Sequence, residues 1–410
     1  MAKTGLWTKN FTIITLGSAV SILGNAMSGF AVSILALDKT GSPFLYALFL
    51  AAYGLPQMLV PLVAGPILDK RSRRKAVYTL DFLSAAMFLV MFLIVKSGYY
   101  NYGAYLAFTF VCGAIDSFYI VAYDSFYPML VPEGYYAKAY SISSLLYPLA
   151  IMMSPVAAYI YKTVGLGPLF AFDAISFFAA AVCETQIKVD EVHLQQAEPK
   201  QLTVSDFRAD FKKGLDYVRG EKGLSTIVVY FMLNSFFYMG CETLWLPFFK
   251  SVPALGVMAY SYVASANVAG RLIGGGLQYK FRYPKEKKFA IALAVYVLLN
   301  FVDGAVLFMP YALMLVFFFT DGLLGSTSFN IRTSTTQSYL PEAVRGRFNG
   351  ILNMAMNAGT FAGPLVAGAL AEKLPIRPIC IVLMGANLVV IYFVMYRGRK
   401  DVAFIYNRDV

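Results

Sequence analysis

The chain has 410 residues, of which 59% are hydrophobic and only 14% are charged, and its formal net charge is +11. A soluble globular protein carries about a quarter charged residues, so this composition excludes an ordinary water-soluble fold. The basic residues lie between long apolar blocks, a distribution that argues against nucleic acid as a partner and indicates a membrane protein.

Apolar blocks follow one another along the whole chain. Each is about as long as the roughly 20 residues that a helix needs to cross the hydrocarbon core. In chain order they begin near Phe11, Phe44, Ala76, Tyr102, Tyr135, Leu166, Leu224, Ala254, Phe289, Pro310, Phe348 and Ile376. The pattern predicts an all-α membrane protein with twelve transmembrane helices.

Most lysines and arginines fall in every second connection between these blocks. The cationic connections are 1–10, 69–75, 131–140, 188–222, 278–288, 332–347 and 397–410. Cytoplasmic loops of membrane proteins carry such an excess of cations. We therefore predict a multi-pass protein of the cell membrane, with both termini in the cytoplasm and basic residues in contact with anionic lipid headgroups.

The chain contains an internal repeat at one constant offset. Asn25 recurs as Asn234 and Tyr53 as Tyr262, and the same offset relates several glycines and prolines. An internal repeat in an apolar chain is typical of transporters that bind their substrate where the two repeats meet. The repeat predicts two pseudo-symmetric six-helix halves.

The predicted halves are residues 1–187 and 223–410. The polar segment 188–222 between them is predicted to be a cytoplasmic linker. It carries apolar residues at helical spacing from Val204 to Val218, so we expect it to hold an amphipathic helix that lies on the membrane surface or against the bundle.

The connection after the second span has glycine at Gly65, an acid at Asp69 and a cation at Arg73. It resembles the signature G-x-x-x-D-[RK]-x-x-[RK] of the major facilitator superfamily. The resemblance implies that Gly65, Asp69 and Arg73 form a latch that gates transport. It also implies that Arg73 pairs with Asp124 at the inner end of span four.

The second copy of this motif keeps the glycine as Gly274 but has Gln278 in place of the acid. We therefore expect the first half alone to carry the latch.

Two proline-containing helices add a second resemblance. Span five contains Ser154 and Pro155, and span eleven contains Gly363 and Pro364. Small residues next to proline allow helices to bend and to pack closely. The arrangement is similar to that of the macrolide-efflux-type exporters of the superfamily. It implies export of amphipathic small molecules of the drug or macrolide type, and therefore antibiotic resistance.

Polar residues at membrane depth are the candidate site residues, because ionisable groups there face a cavity or a partner. Asp116 lies near the middle of span four, with Tyr119 and Tyr123 on the same helix face. Asp116 and Asp321 are the candidate coupling residues. The candidate substrate-binding residues are Asn25, Asp116, Tyr119, Tyr123, Asn234, Tyr238, Asn353 and Asn357. The alternative is that the asparagines only hydrogen-bond helix to helix, at about 0.6 kcal/mol each.

Four further acids lie in spans three, six and nine: Asp81, Asp173, Glu184 and Asp303. The resemblance makes these spans peripheral, so we expect the four acids to serve packing between helices.

The sequence predicts a transporter without a cofactor rather than an enzyme. His193 is the single histidine, and no GxxxxGK[ST] phosphate-binding loop occurs. The leading hypothesis is a monomeric secondary transporter that exchanges a small-molecule substrate for protons by alternating access. The alternatives on the same fold are an importer of a small nutrient or metabolite, and a lipid transporter.

Overall fold

A computed structural model describes residues 5–68, 71–189, 191, 204–280 and 283–408. Within these ranges every regular element is helical, as predicted. Contacts divide the chain into two compact units. The N-terminal unit comprises Met1–Thr40 with Phe49–Gln201, and the C-terminal unit comprises Gly41–Leu48 with Leu202–Val410. The three-part division at 187 and 223 stays a prediction.

The first seven helices are α1 (Lys9–Thr40), α2 (Pro43–Leu68), α3 (Arg73–Lys96), α4 (Tyr102–Phe126), α5 (Tyr136–Met152), α6 (Ser154–Val164) and α7 (Gly167–Glu184). Helices α5 and α6 are one membrane span, interrupted at Met153. The interruption follows from Pro155, which has no N–H to donate to the preceding turn.

The C-terminal unit contains α8 (Val204–Gly220), α9 (Lys222–Thr243), α10 (Trp245–Ser251), α11 (Gly256–Lys280), α12 (Lys288–Ala305), α13 (Tyr311–Tyr339), α14 (Glu342–Ala371), α15 (Ile376–Val390) and α16 (Arg399–Tyr406). A wider helical turn over Ile391–Tyr396 continues α15. Pro364 lies inside α14 without ending it.

Eleven segments of the described chain are long and apolar enough to cross a membrane. The helix at the remaining predicted position is α11, which has 25 residues. It is more polar because Ser261, Ser265, Asn267 and Arg271 lie along it. The all-helical membrane fold is therefore confirmed, and the count of twelve is consistent with the helices present.

Glycines allow several helices of the C-terminal unit to pack at backbone distance. A Cβ on Gly322 of α13 would lie 2.9 Å from the backbone nitrogen of Arg271 in α11. A Cβ on Gly363 of α14 would lie 2.9 Å from the carbonyl carbon of Phe236 in α9. Close backbone approach at small residues is the usual way in which membrane helices associate.

Helix α8 occupies the segment in which the sequence predicts an amphipathic helix. Its apolar residues Leu215 and Val218 pack into the core around α9 and α14. Gly214 faces α14, where an added Cβ would lie 2.9 Å from Cδ1 of Ile351. The described part of α8 therefore lies against the helices of its own unit.

Candidate functional site

The N-terminal unit encloses a cavity of about 600 Å³, which we call the N-terminal cavity. Most of its wall is apolar, and Phe88, Phe108, Phe170 and Phe177 form part of it. Sites for small molecules typically have volumes of roughly 300–1,000 Å³ with a few polar groups in an apolar wall. The N-terminal cavity is thus large enough for a drug-sized molecule.

Asp116 is the carboxylate held by hydrogen bonds in this wall. Tyr53 donates a hydrogen bond of 2.8 Å to Asp116 Oδ2, and Gln57 Nε2 lies 3.4 Å from the same oxygen. Both donors are on α2, one turn apart, so they reach one acceptor on α4. Together they stabilise a negative charge that would be costly at this depth.

The approach of α2 to α4 depends on Gly113. A Cβ at this position would lie 3.1 Å from Cα of Tyr53, too close for most side chains. Gly113 precedes Asp116 by about one helical turn, so the close crossing brings the hydroxyl of Tyr53 to the carboxylate. Gly113 thus allows Tyr53 to come within hydrogen-bonding distance of Asp116.

Three tyrosines of the same chain segment stack beside Asp116. The rings of Tyr119 and Tyr123 are 5.9 Å apart, and those of Tyr123 and Tyr127 are 5.1 Å apart. The hydroxyl of Tyr119 lies 3.3 Å from Ser18 Oγ on α1. Tyr119 and Tyr123 line the N-terminal cavity, which gives it a wall of aromatic surface with polar edges.

Half of the predicted substrate-binding residues lie in this one cavity: Asn25, Asp116, Tyr119 and Tyr123. Asp124, predicted to belong to the latch, also lines the cavity and is exposed. These residues come from α1 and α4 only, so one cavity brings together candidate residues of two predicted spans.

The C-terminal unit contains a second polar group of residues, centred on the buried Asp321. Asn267 donates a hydrogen bond of 2.5 Å to Asp321 Oδ2. Arg271 Nε donates to Asn267 Oδ1 at 3.0 Å, and an Arg271 terminal nitrogen lies 3.5 Å from the hydroxyl of Tyr238. Tyr238 and Asp321, both predicted site residues, thus belong to one network with α11.

The three predicted substrate-binding asparagines of the C-terminal unit are in different surroundings. Asn234 Oδ1 accepts a hydrogen bond of 2.9 Å from Asn387 Nδ2 and lies 3.3 Å from the hydroxyl of Tyr230. The contact with Asn387 joins α9 to α15. It corresponds to the alternative in which the asparagines hydrogen-bond helix to helix. Asn353 and Asn357 lie one turn apart on an exposed face of α14.

Arg73, the cation of the predicted latch, lies at the end of the bundle where α4 finishes. One of its terminal nitrogens donates to the carbonyl of Ser125 at 3.2 Å. Glu191 accepts from the backbone nitrogens of Arg73 at 3.1 Å and Arg74 at 2.9 Å, which caps the first turn of α3. Sequence reasoning missed this cap.

The structure says less about Gly65 and Asp69, the other two residues of the predicted latch motif. Gly65 is half-buried, and no described atom lies within 4 Å of where its Cβ would be. Asp69 lies outside the described residues. The latch itself therefore stays a prediction.

Sequence reasoning also missed Tyr53 and Gln57 as partners of Asp116. Tyr53 carried a usable signal, because it recurs as Tyr262 in the second half. Gln57 carried none, since its contact depends on the crossing of α2 and α4. Asp81, predicted to serve packing, lines the N-terminal cavity.

Comparison with known proteins agrees with this fold. The model of the transmembrane secretion effector family of the major facilitator superfamily (MFS) matches residues 3–403. The chain is 23% identical to macrolide efflux protein A of Streptococcus pyogenes over 282 residues, which cover 67% of this chain and 68% of that protein. It is also 23% identical to an uncharacterised MFS-type transporter, YkuC, of Bacillus subtilis.

The match to the Bacillus protein covers 56% of this chain and only 54% of that relative's length. The structure is similar to that of the nucleoside transporter NupG, with a TM-score of 0.69, 14% identity, and coverage of 93% of this chain and 98% of that one. At this identity the likeness concerns the fold alone.

Because the family model matches residues 3–403, the chain belongs to the transmembrane secretion effector family of MFS transporters. These are multi-pass membrane proteins that bind small-molecule substrates.

Proposed function

We propose that this transporter exports amphipathic small molecules, of the drug or macrolide type, in exchange for protons. It would work by alternating access, as a monomer in the cell membrane with both termini in the cytoplasm. The observation that carries the proposal is Asp116, a carboxylate in the mostly apolar wall of the N-terminal cavity.

The composition of the cavity supports an amphipathic substrate. Aromatic rings and Met87 in the wall provide adaptable apolar contacts, and Ser18, Asn25 and the tyrosine hydroxyls provide scattered polar ones. Asp116 in such a wall favours a cationic group on the substrate, since a negative charge at this depth is costly without a partner. Protonatable amines on an otherwise apolar body meet both requirements.

Asp116 supports coupling because it can be neutralised in two ways. A proton on the carboxyl group or a cation beside it would each remove the buried negative charge, but not both at once. Proton entry from outside would then displace a cationic substrate, and substrate entry from inside would displace the proton. Tyr53 and Gln57 stabilise the charged form during the exchange.

The similarity to macrolide efflux protein A favours export over import, although it is distant at 23% identity. Import of a nutrient and lipid transport are the competing functions. They predict opposite or gradient-independent fluxes, so a vesicle assay separates them from proton-driven export.

The test uses inside-out membrane vesicles with a panel of lipophilic cationic dyes and an imposed proton gradient. We expect wild-type vesicles to accumulate dye and to lose it on addition of an uncoupler. Asp116→Asn keeps the side-chain size but removes the charge, so gradient-driven accumulation should be abolished. Asp38→Asn is the control, because Asp38 is exposed at the end of α1 and accepts its hydrogen bond from Tyr161.

Accumulation by Asp116→Asn at the wild-type rate would remove Asp116 from the mechanism. Uptake only in right-side-out vesicles would identify an importer. Dye movement that persists without a gradient would indicate passive or lipid-like transport. Protein amount in each membrane must be equal, which immunoblotting checks.

A further inference from the structure

Two acids that the proposed mechanism does not use meet in the interior of the N-terminal unit. Asp81 of α3 and Glu184 of α7 are each only 1% exposed. Their carboxyl groups interact with each other, although 103 residues separate them in the sequence. We call them the carboxyl pair.

No cation neutralises the carboxyl pair among the described residues. Three buried oxygens of the pair lack a hydrogen bond of good geometry. They are both carboxyl oxygens of Glu184 and Oδ2 of Asp81. Arg74 of α3 donates to the carbonyl of Ile187 at 2.7 Å, and Lys75, the basic residue of α3 nearest to Asp81 in sequence, is exposed. The titratable neighbours on the packed helices are Tyr119 of α4 and Cys183 of α7, and neither carries a positive charge.

Two carboxylates buried side by side cannot both be ionised, because desolvation and mutual repulsion act together. Neighbouring polar groups do not relieve the cost. Gly17 of α1, where an added Cβ would lie 3.7 Å from Glu184 Oε1, brings no side-chain donor to the pair. A bound proton would remove one of the two negative charges that the described residues leave unneutralised.

We propose that the carboxyl pair is a proton-binding site, separate from Asp116, that holds one shared proton at neutral pH. Glu184 carries the proton, since both of its oxygens lack a described donor. Asp81 lines the N-terminal cavity and connects the pair to it. The proton thus has a route between the cavity and the α1–α3–α7 interface that does not pass through Asp116.

The proposal does not depend on which substrate the protein carries, so its first test needs none. The purified full chain in detergent is unfolded thermally at a series of pH values, at constant ionic strength. A shared proton stabilises the folded state, so the midpoint should fall as the pH rises and the pair loses that proton. The double variant Asp81→Asn/Glu184→Gln has no proton to lose and should show a clearly smaller fall.

Asp38→Asn, which removes an exposed carboxyl group of α1, is the matched control and should keep the wild-type fall. The two proposals can fail separately, because Asp116→Asn tests the proposed function by transport, whereas the double variant tests the proton site by its pH profile. Superimposable profiles for wild type and double variant would overturn the proton site and leave Asp116 untouched.

A second measurement covers the case in which the double variant does not fold. Infrared spectra of the wild-type chain labelled with ¹³C-glutamate report protonated glutamate side chains by their shifted C=O band. We expect one such band at neutral pH that persists in Glu242→Gln, which removes the glutamate of α9. Absence of the band, or its loss on adding sodium chloride, would overturn the proposal in favour of ionised acids or a bound sodium ion.

Discussion

The two units of this transporter differ in how their buried acidic residues are hydrogen-bonded. In the N-terminal unit Asp81, Asp173 and Glu184 are buried, and each has at least one carboxyl oxygen without a hydrogen bond of good geometry. Asp81 also lines the cavity of about 600 Å³. In the C-terminal unit Asp321 is held by Asn267, which is held in turn by Arg271. One repeated half thus leaves acids available to ligands, and the other satisfies its central acid internally.

The two units also differ in how closely their helices pack at glycines. Gly270, Gly322, Gly359 and Gly363 bring helices of the C-terminal unit to backbone contact. In the N-terminal unit Gly113 approaches the backbone of Tyr53 in the same way, whereas Gly29 and Gly54 have no described neighbour within 4 Å of an added Cβ. Close packing leaves no room for a ligand, whereas looser packing leaves a cavity. The comparison teaches that sequence similarity between the halves does not imply equal roles.

The largest effect should come from filling a glycine contact of the C-terminal unit. In Gly322→Ala the new methyl group would meet the backbone of Asn267 and Arg271, which cannot move aside without shifting α11. We expect a loss of about 3 kcal/mol in stability, measured by denaturant unfolding in detergent. Gly325→Ala on the same helix has open space and should be neutral or stabilise by up to about 1 kcal/mol. Equal losses in both variants would mean that close packing is not the cause.

An intermediate change in stability should distinguish Asp321, which accepts a hydrogen bond, from Asp173, whose oxygens lack one of good geometry. Asn267→Ala removes the donor to Asp321 and should cost about 1–3 kcal/mol, because a buried carboxyl group is left unpaired. Asp173→Asn removes the charge of a fully buried carboxyl group whose two oxygens lack a hydrogen bond of good geometry, so stability should stay the same or rise. Thermal unfolding of both variants checks the contrast. A destabilised Asp173→Asn together with an unaffected Asn267→Ala would reverse it.

The smallest effect concerns the donor to Asp116. Tyr53→Phe removes one hydrogen bond and should slow gradient-driven dye export about five- to tenfold, equivalent to roughly 1 kcal/mol. Tyr262→Phe changes the equivalent residue of the second half, whose side chain is exposed, and should leave export unchanged. Export rates in inside-out vesicles provide the measurement. Equal slowing by the two variants would show that the halves contribute alike.

The membrane fold could be predicted from the sequence because each span carries its own signal. A window of about 20 apolar residues identifies a spanning helix without knowledge of its neighbours. The signal fails at α11, where Asn267, Arg271 and a run of glycines lower the hydropathy of the window. Those residues are explained only by their contacts with α9 and α13.

The candidate site could be predicted in part. Asp116 is recognisable because an acid in an apolar span needs an explanation, and the neighbouring tyrosines share its helix face. The roles of Asn234 and Asp81 could not be assigned in this way. Asn234 bonds to Asn387, 153 residues away, and Asp81 meets Glu184 across two helices.

The sequence by itself determined the helical spans, the internal repeat, the family and the acid at the centre of α4. These follow from local hydropathy, spacing and motif, which act within one helix or one loop. Only the tertiary structure decided which polar groups meet: Tyr53 with Asp116, Asn267 with Asp321, and Asp81 with Glu184. Side chains on different helices meet only when those helices pack at a given angle and depth, and the local pattern of one helix does not contain that information.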